Sequence, residues 1–235
     1  MTNFGDNDNG VTKFPSARER EALQKARMVH PPAASEPALN VPPLVKALCL
    51  ANIAVFLVFE FFYNEELMYA LSLVPARYFD STGWSAAAIW SPITHMFLHA
   101  GWLHLLINVG TLLAFGAGLE KILGVRRLLV FYIATGFCGE LVHVLCYAHS
   151  AAPVIGASGA ISGLFGGILM MMYDGGMMGQ GYRRLLPFVA VWIAISVLFG
   201  VFGFPGASGP IAWTVHIGGF VGGLLLYRPV MRLKI

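Results

Sequence analysis

Two residues with the chemistry of a nucleophile and a base stand in apolar stretches far apart in the chain. Ser158 lies in a Gly-Ala-Ser-Gly string, and His216 is followed by Ile-Gly-Gly. A serine hydroxyl becomes an effective nucleophile when a neighbouring base accepts its proton, and histidine can do this near neutral pH. Because no Asp or Glu is placed in the sequence to orient His216, the two residues predict a catalytic Ser–His dyad.

Donors for the oxyanion of such a reaction are available at three positions. The tetrahedral intermediate of acyl transfer needs N–H groups aimed at its developing negative charge. His104 offers a ring N–H and Asn108 an amide NH₂, and their spacing of four residues puts them on one face of a helix. A helix that begins at Ser158 would leave the backbone N–H of this residue unpaired. We therefore predict an oxyanion hole formed by His104, Asn108 and Ser158.

The composition indicates that long apolar helices position these residues. Of 235 residues, 57% are hydrophobic and 11% are charged, and the mean hydropathy is +0.69. A soluble domain carries about 25% charged residues, whereas a membrane-spanning helix needs about 20 mostly apolar residues. We expect an all-α membrane protein whose six transmembrane helices lie near 44–63, 102–119, 128–148, 157–173, 185–204 and 211–228.

The distribution of basic residues predicts an orientation. Lys and Arg concentrate in cytoplasmic loops, and with six spans all of the 15 Lys and Arg residues except Arg77 fall on the side of the two termini. Both termini are therefore expected in the cytoplasm. Residues 1–40 lack the apolar stretch of a signal peptide and carry acidic residues that transit peptides avoid, so we expect a multi-pass protein of the cytoplasmic (inner) membrane of a bacterium. The predicted divisions are a flexible N-terminal tail at 1–43, a six-helix membrane domain at 44–230 and a short C-terminal tail at 231–235.

Spans two, four and six all begin at the outer face, which brings the polar residues to a similar depth. At about 1.5 Å of rise per residue, the oxyanion candidates, Ser158 and His216 lie within the first two turns of their helices. Glycine stripes on spans four and six favour close packing of these helices, which would bring His216 to Ser158. The stripe residues are Gly159, Gly163 and Gly167 on span four, and Gly219 and Gly223 on span six.

Three strings, in order and on the expected spans, resemble the motifs of rhomboid intramembrane proteases. They are the string from His95 to Asn108, the Gly-Ala-Ser-Gly string of Ser158 and the last-span string of His216. The resemblance covers roughly residues 44–230. It implies a six-helix rhomboid-like bundle with a long outer loop between helices 1 and 2. It also implies a serine endopeptidase that cleaves a peptide bond in or next to the transmembrane helix of a membrane protein, through an acyl-enzyme.

The same resemblance implies supporting residues and no metal or cofactor. The supporting residues would be His99, Gly156, Gly159 and Gly219. Two positions depart from the family pattern. Rhomboids often carry Trp-Arg in the first outer loop, where this chain has Trp90 and Ser91, and an aromatic residue commonly stands four positions after the nucleophile, where this chain has Ser162.

The expected partners are transmembrane protein substrates and the lipid bilayer. The net charge is only +3, and no basic run is interleaved with aromatic residues, so nucleic acid is not an expected partner. The three cysteines lie in apolar stretches without a CxxC spacing, which favours buried, reduced thiols. The oligomeric state is not indicated by the sequence.

Other functions compete with proteolysis. A rhomboid-like pseudoprotease would bind transmembrane clients without cutting them, and would be expected to lack Ser158 or His216. A small transporter would need paired charges or broken helices at the midplane, and a haem protein would need two well-placed histidines. A second Gly-Ala-Ser-Gly string also offers Ser208 as a competing nucleophile.

Three further polar features leave alternatives open. His95 and His99 have a spacing that could bind a metal or haem, or they could hydrogen-bond loop backbone. Glu140, a carboxylate within span three, could pair with His143 or orient a site residue. The segment 64–101 could lie in the membrane interface or form an ordinary outer loop.

Overall fold

The computed structural model describes residues 41–80, 85–178, 181–203 and 212–235. Ser208 and the predicted N-terminal tail up to residue 40 lie outside these ranges. Every regular element within them is a helix, apart from one isolated β-bridge. The α-helices are α1 (Pro43–Phe61), α2 (Glu65–Leu71), α3 (Ala76–Phe79), α4 (Ala87–Thr94), α5 (Trp102–Cys146), α6 (Ser158–Asp174), α7 (Leu186–Phe202) and α8 (Trp213–Met231), with short 3-10 turns at His95–Phe97 and Tyr182–Arg184.

Three helices in the described part of the chain are long and apolar enough to cross a membrane. They are Pro43–Phe61, Trp102–Cys146 and Tyr182–Phe202. The first and third coincide with predicted spans one and five. Helix α6 has 17 residues, most of them buried against other helices, so its length alone does not identify it as a span.

Predicted spans two and three lie in α5, which Gly124 divides into two helical arms without an intervening loop. Gly124 interrupts it with a φ of 75° and a ψ of 167°, a conformation that glycine adopts without a steric penalty. Leu119 and Phe131 both lie beside Gly167 of α6, within 3.4 and 2.8 Å of where a Cβ on that glycine would stand. In a straight helix these two residues would be about 18 Å apart, so α5 turns back at Gly124 into a first arm (102–123) and a second arm (125–146).

A buried carboxylate joins the first arm of α5 to the start of α1. Glu120 accepts hydrogen bonds from the backbone N–H groups of Leu44 at 2.9 Å and Val45 at 2.8 Å. The first N–H groups of a helix have no partner within the helix, and the positive end of its dipole favours a negative charge. Glu120 therefore caps α1 at the end of the bundle where the first arm of α5 turns back.

Helices α6 and α8 pack through their glycine stripes, as predicted. A Cβ on Gly219 would collide with the carbonyl oxygen of Gly159, and a Cβ on Gly223 would collide with that of Gly163. Small residues allow helix backbones to approach this closely. Gly167, the third residue of the stripe on α6, instead faces Phe131 on the second arm of α5. The core that carries the polar site consists of α6, α8 and the second arm of α5.

The segment between α1 and α5 is folded against the stretch that precedes Ser158. Leu73 and Val154 exchange two backbone hydrogen bonds of 3.1 and 2.8 Å, and Ala76 N–H donates to the Ser150 carbonyl oxygen at 3.0 Å. Arg77 is buried, and its guanidinium donates to the carbonyl oxygens of Ser72 and Tyr69. In its described part, the predicted outer loop therefore contains three short α-helices and is bonded to the stretch before Ser158.

Candidate active site

Ser158 and His216 lie in hydrogen-bonding contact. The His216 Nε2 atom is 2.8 Å from the Ser158 Oγ atom. Ser158 is the first residue of α6, and His216 is in the first turn of α8. The contact between Gly159 and Gly219 brings the two helix starts together. With the proton of His216 on Nδ1, Nε2 is the acceptor for the serine hydroxyl, which is the geometry a general base needs.

His104 lies beside Gly156, as does the Ser158 hydroxyl. Its Nδ1 atom accepts a hydrogen bond from the backbone N–H of Ala100 at 3.3 Å, so the proton of a neutral ring is on Nε2. A Cβ on Gly156 would lie 2.8 Å from that Nε2 and 3.7 Å from Ser158 Oγ. His104 Nε2–H and Ser158 Oγ therefore border the same small space.

Gly156 leaves this space open. Its φ of 122° is in the region that L side chains rarely adopt. Its N–H donates to the His95 carbonyl oxygen at 2.8 Å, which ties the nucleophile region to the 3-10 turn before α5. A side chain at this position would strain the backbone and would also fill the space next to the Ser158 hydroxyl.

Asn108 follows His104 by one helical turn in α5. It is buried and lies on the same face of the helix. Its Nδ2 atom donates to the His104 carbonyl oxygen at 2.9 Å. An amide NH₂ has two donors, and this bond uses one of them. The structure thus places Asn108 one turn from His104, and its side-chain hydrogen bond within the described part of the chain is to its own helix.

His99 supports His104 rather than the serine. The two rings are in edge contact with centroids 5.1 Å apart, and His99 Nδ1–H donates to the Phe97 carbonyl oxygen at 3.2 Å. Burial, with a smaller contribution from His104, lowers the pKa of His99 to about 4, so the ring is neutral at pH 7. The contact with the Phe97 carbonyl agrees with the alternative in which His99 hydrogen-bonds the backbone of the loop. His95 instead hydrogen-bonds a carboxylate.

That carboxylate is Glu140, whose partner the sequence left open. His95 Nε2 lies 2.9 Å from Glu140 Oε1, and both residues are buried. His143, the other candidate partner, instead contacts the Thr214 hydroxyl through Nδ1 at 2.7 Å. Sequence reasoning missed the contact of His143 with Thr214 and the His95–Glu140 pair because their members are 71 and 45 positions apart, and no periodicity links them.

The two departures from the family pattern have local hydrogen-bond partners. Ser91 is buried beside Tyr78, with its Oγ 3.3 Å from the tyrosine hydroxyl. Ser162 Oγ–H donates to the Ser158 carbonyl oxygen at 2.7 Å. The Ser162 hydroxyl is therefore bonded within α6 and does not supply the stacking surface for His216 that an aromatic residue would.

Comparison with known proteins identifies the family. The Rhomboid domain model matches residues 86–233. The chain is 34% identical over 142 residues to the putative rhomboid protease YdcA of Bacillus subtilis, which covers 58% of this chain and 65% of that protein. It is 33% identical over 144 residues to RHOMBOID-like protein 7 of Arabidopsis thaliana, covering 59% and 42%, and 33% identical over 134 residues to the rhomboid protease GluP of Bacillus subtilis, covering 57% and 24%.

The matches thus span less than two thirds of the length of these relatives. The range matched by the Rhomboid domain model includes the helices that carry Ser158, His216 and His104. Since the family model matches more than half of the chain and the described helices include long apolar ones, the chain belongs to the rhomboid family of integral membrane proteins.

Proposed function

We propose that this chain is an intramembrane serine endopeptidase that hydrolyses a peptide bond in or next to the transmembrane helix of a membrane-protein substrate. The observation that carries the proposal is the 2.8 Å contact between Ser158 Oγ and His216 Nε2. Similarity to proteins named rhomboid proteases supports the same activity.

Acylation uses both residues. Ser158 Oγ attacks the carbonyl carbon of the scissile peptide while its proton passes to His216 Nε2, and the π electrons of the carbonyl move to the oxygen. His216 then gives this proton to the leaving nitrogen as the C–N bond breaks. The N-terminal part of the substrate is left as an ester on Ser158, and the C-terminal part leaves with a free amine.

The oxyanion formed in this step is stabilised by N–H groups near Ser158. The Nε2–H of His104 borders the space beside the serine hydroxyl. The backbone N–H of Ser158 is at the first position of α6, where helix geometry provides no partner. Asn108, one helical turn after His104, supplies a further donor through its side-chain NH₂. Such preorganised donors are commonly the largest contribution to catalysis of acyl transfer.

Deacylation reverses the proton path. Water attacks the ester carbon while His216 accepts its proton, and the C–O bond to Ser158 then breaks. The serine recovers its proton from His216, and the product leaves as a carboxylic acid. The dyad therefore needs no metal or cofactor.

The proposed topology has six spans: α1, the two arms of α5, α6, α7 and α8. With this count, 14 of the 15 Lys and Arg residues lie on the side of the termini, which is then cytoplasmic. Arg77, the exception, is buried with two backbone carbonyl partners. Ser158 and His216 then lie near the outer face, and the proposed location is the cytoplasmic membrane of a bacterium.

The activity is tested with purified protein in liposomes and a fluorescent transmembrane peptide. Wild type, Ser158→Ala, His216→Ala and Ser208→Ala are compared side by side. We expect cleavage by wild type and by Ser208→Ala, and none by the other two variants. Full activity in Ser158→Ala would refute the dyad, and binding of the peptide without cleavage by wild type would favour a pseudoprotease.

A further inference from the structure

Two side chains on the second arm of α5 are linked by hydrogen bonds to the segments that precede Ser158 and His216. Glu140 contacts His95, which is bonded to the loop before Ser158, and His143 contacts Thr214, which precedes His216 on α8. We infer that Glu140 and His143 are positioning residues that fix the nucleophile and the base relative to each other. This inference rests on the proposed function, because the dyad is what they would position.

The Glu140 side acts through the loop that leads into α6. The His95 side chain, 2% exposed, and that of Glu140, 6% exposed, form a hydrogen bond of 2.9 Å. The carbonyl oxygen of His95 accepts the N–H of Gly156 at 2.8 Å. Since Nδ1 of His95 has no hydrogen-bond partner in the described part of the chain, removal of the carboxylate would leave both nitrogens of the buried ring unpaired. This favours movement of the His95 turn and of the loop bonded to it.

The His143 side acts through the first turn of α8. Its Nδ1 atom is 2.7 Å from Thr214 Oγ1, two residues before the proposed base. Gly139 allows the two backbones to meet at this level, because a Cβ there would lie 2.5 Å from the Val215 carbonyl oxygen. The side-chain bond and the backbone contact together fix the rotation of the turn that carries His216.

Both contacts originate on one rigid segment. Glu140 and His143 are three residues apart and so lie on one face of the helix. The distance between Ser158 Oγ and His216 Nε2 is therefore held by two hydrogen bonds to a single helix, in addition to the direct packing of α6 on α8. Loss of either bond would loosen the reactive geometry without removing a reactive group.

The test uses paired variants in which the contact is removed or retained. Glu140→Ala removes the acceptor, whereas Glu140→Gln keeps an amide oxygen that can accept from His95. Thr214→Val removes the hydroxyl at nearly constant volume, and Thr214→Ser keeps it. The matched control is Glu120→Ala. It removes another buried carboxylate, whose two backbone partners lie at the start of α1, away from the dyad.

Two readouts are measured below the unfolding temperature of every variant. We expect kcat for the transmembrane peptide to fall about tenfold to a hundredfold in Glu140→Ala and Thr214→Val, because small misplacements of reacting groups have effects of this size. KM should stay within about twofold, and Glu140→Gln and Thr214→Ser should recover most of kcat. Hydrogen exchange of the segment 152–160 should rise in Glu140→Ala and not in Glu120→Ala.

The two readouts separate this inference from the proposed function. If Glu140→Ala and Thr214→Val lose no more kcat than Glu120→Ala, the positioning role is wrong while the protease remains. If wild type itself does not cleave, the proposed function fails. The hydrogen-exchange measurement then still tests the contact between Glu140 and His95. Unchanged exchange of the segment 152–160 in Glu140→Ala would by itself overturn the positioning role of Glu140.

Discussion

Gly159 and Gly219 face each other so closely that a methyl group on Gly219 would collide with the carbonyl oxygen of Gly159. Ser158 is adjacent to the first glycine, and His216 is three residues before the second. The separation of the α6 and α8 backbones at this point therefore sets the distance between hydroxyl and imidazole. Helix packing and chemistry depend on the same contact.

Gly219→Ala should therefore inactivate the protein at a modest cost in stability. The added methyl group forces the helices apart, and overpacking of this kind typically costs about 1–3 kcal/mol. We expect peptide cleavage to fall at least about tenfold, measured together with thermal unfolding in detergent. Gly110→Ala is the matched control, because nothing lies within 4 Å of where its Cβ would be. Equal activity of the two variants would contradict the role of this contact.

Gly156→Ala should be more damaging to activity than its backbone strain explains. The position combines a φ of 122° with a Cβ site 2.8 Å from His104 Nε2, and strained backbone costs about 1–3 kcal/mol. Gly181→Ala also places a side chain at a φ that L residues rarely adopt, 100°, with nothing within 4 Å of its Cβ. We expect similar losses of thermal stability in both variants and loss of cleavage only in Gly156→Ala. Retained cleavage in Gly156→Ala would argue against a reaction space at this glycine.

The stability of the folded protein should decrease in mild acid partly because of His99. Its pKa is lowered from 6.5 to about 4 by burial and by His104. Between these pH values the unfolded chain binds a proton that the folded chain does not, so the free energy of unfolding falls as the pH drops from about 6.5 to about 4, by at most about 1.4 kcal/mol per pH unit. Thermal unfolding of wild type and His99→Asn at pH 7, 5.5 and 4.5 measures this slope. The variant should show a shallower decrease, and an identical slope would contradict the assignment.

The proposed orientation predicts opposite labelling of two exposed positions. Ala151 is exposed in the stretch before α6, and Met177 is exposed just after this helix. With cytoplasmic termini, a membrane-impermeant maleimide applied from outside should label Ala151→Cys and should not label Met177→Cys until the membrane is opened. Each variant is compared with the parent protein, which carries three native cysteines. The reverse pattern would invert the topology.

The predictable part of the fold follows from hydrophobic length and charge. The windows at 44–63 and 185–204 correspond to Pro43–Phe61 and Leu186–Phe202, because burial in a bilayer imposes a minimum apolar length. The gap between the apolar windows at 102–119 and 128–148 predicts a loop around Gly124. The chain reverses here at one residue with a positive φ. Neither the charge nor the hydropathy of a sequence indicates a backbone angle.

The predictable part of the site follows from helix ends and small residues. Ser158 and His216 could be paired because both lie at the predicted outer ends of helices with glycine stripes. The contacts of Glu140 with His95 and of His143 with Thr214 join residues 45 and 71 positions apart. No periodicity links such distant positions, so a single sequence contains no signal for them.

The most direct test of the account is to locate the activated serine chemically. Purified protein is treated with a fluorophosphonate, which forms a covalent adduct with a serine activated by a base, and the adduct is mapped by mass spectrometry. The account predicts an adduct on Ser158 in wild type and its loss in His216→Ala. An adduct on Ser208, or labelling of Ser158 that is unchanged in His216→Ala, would contradict it.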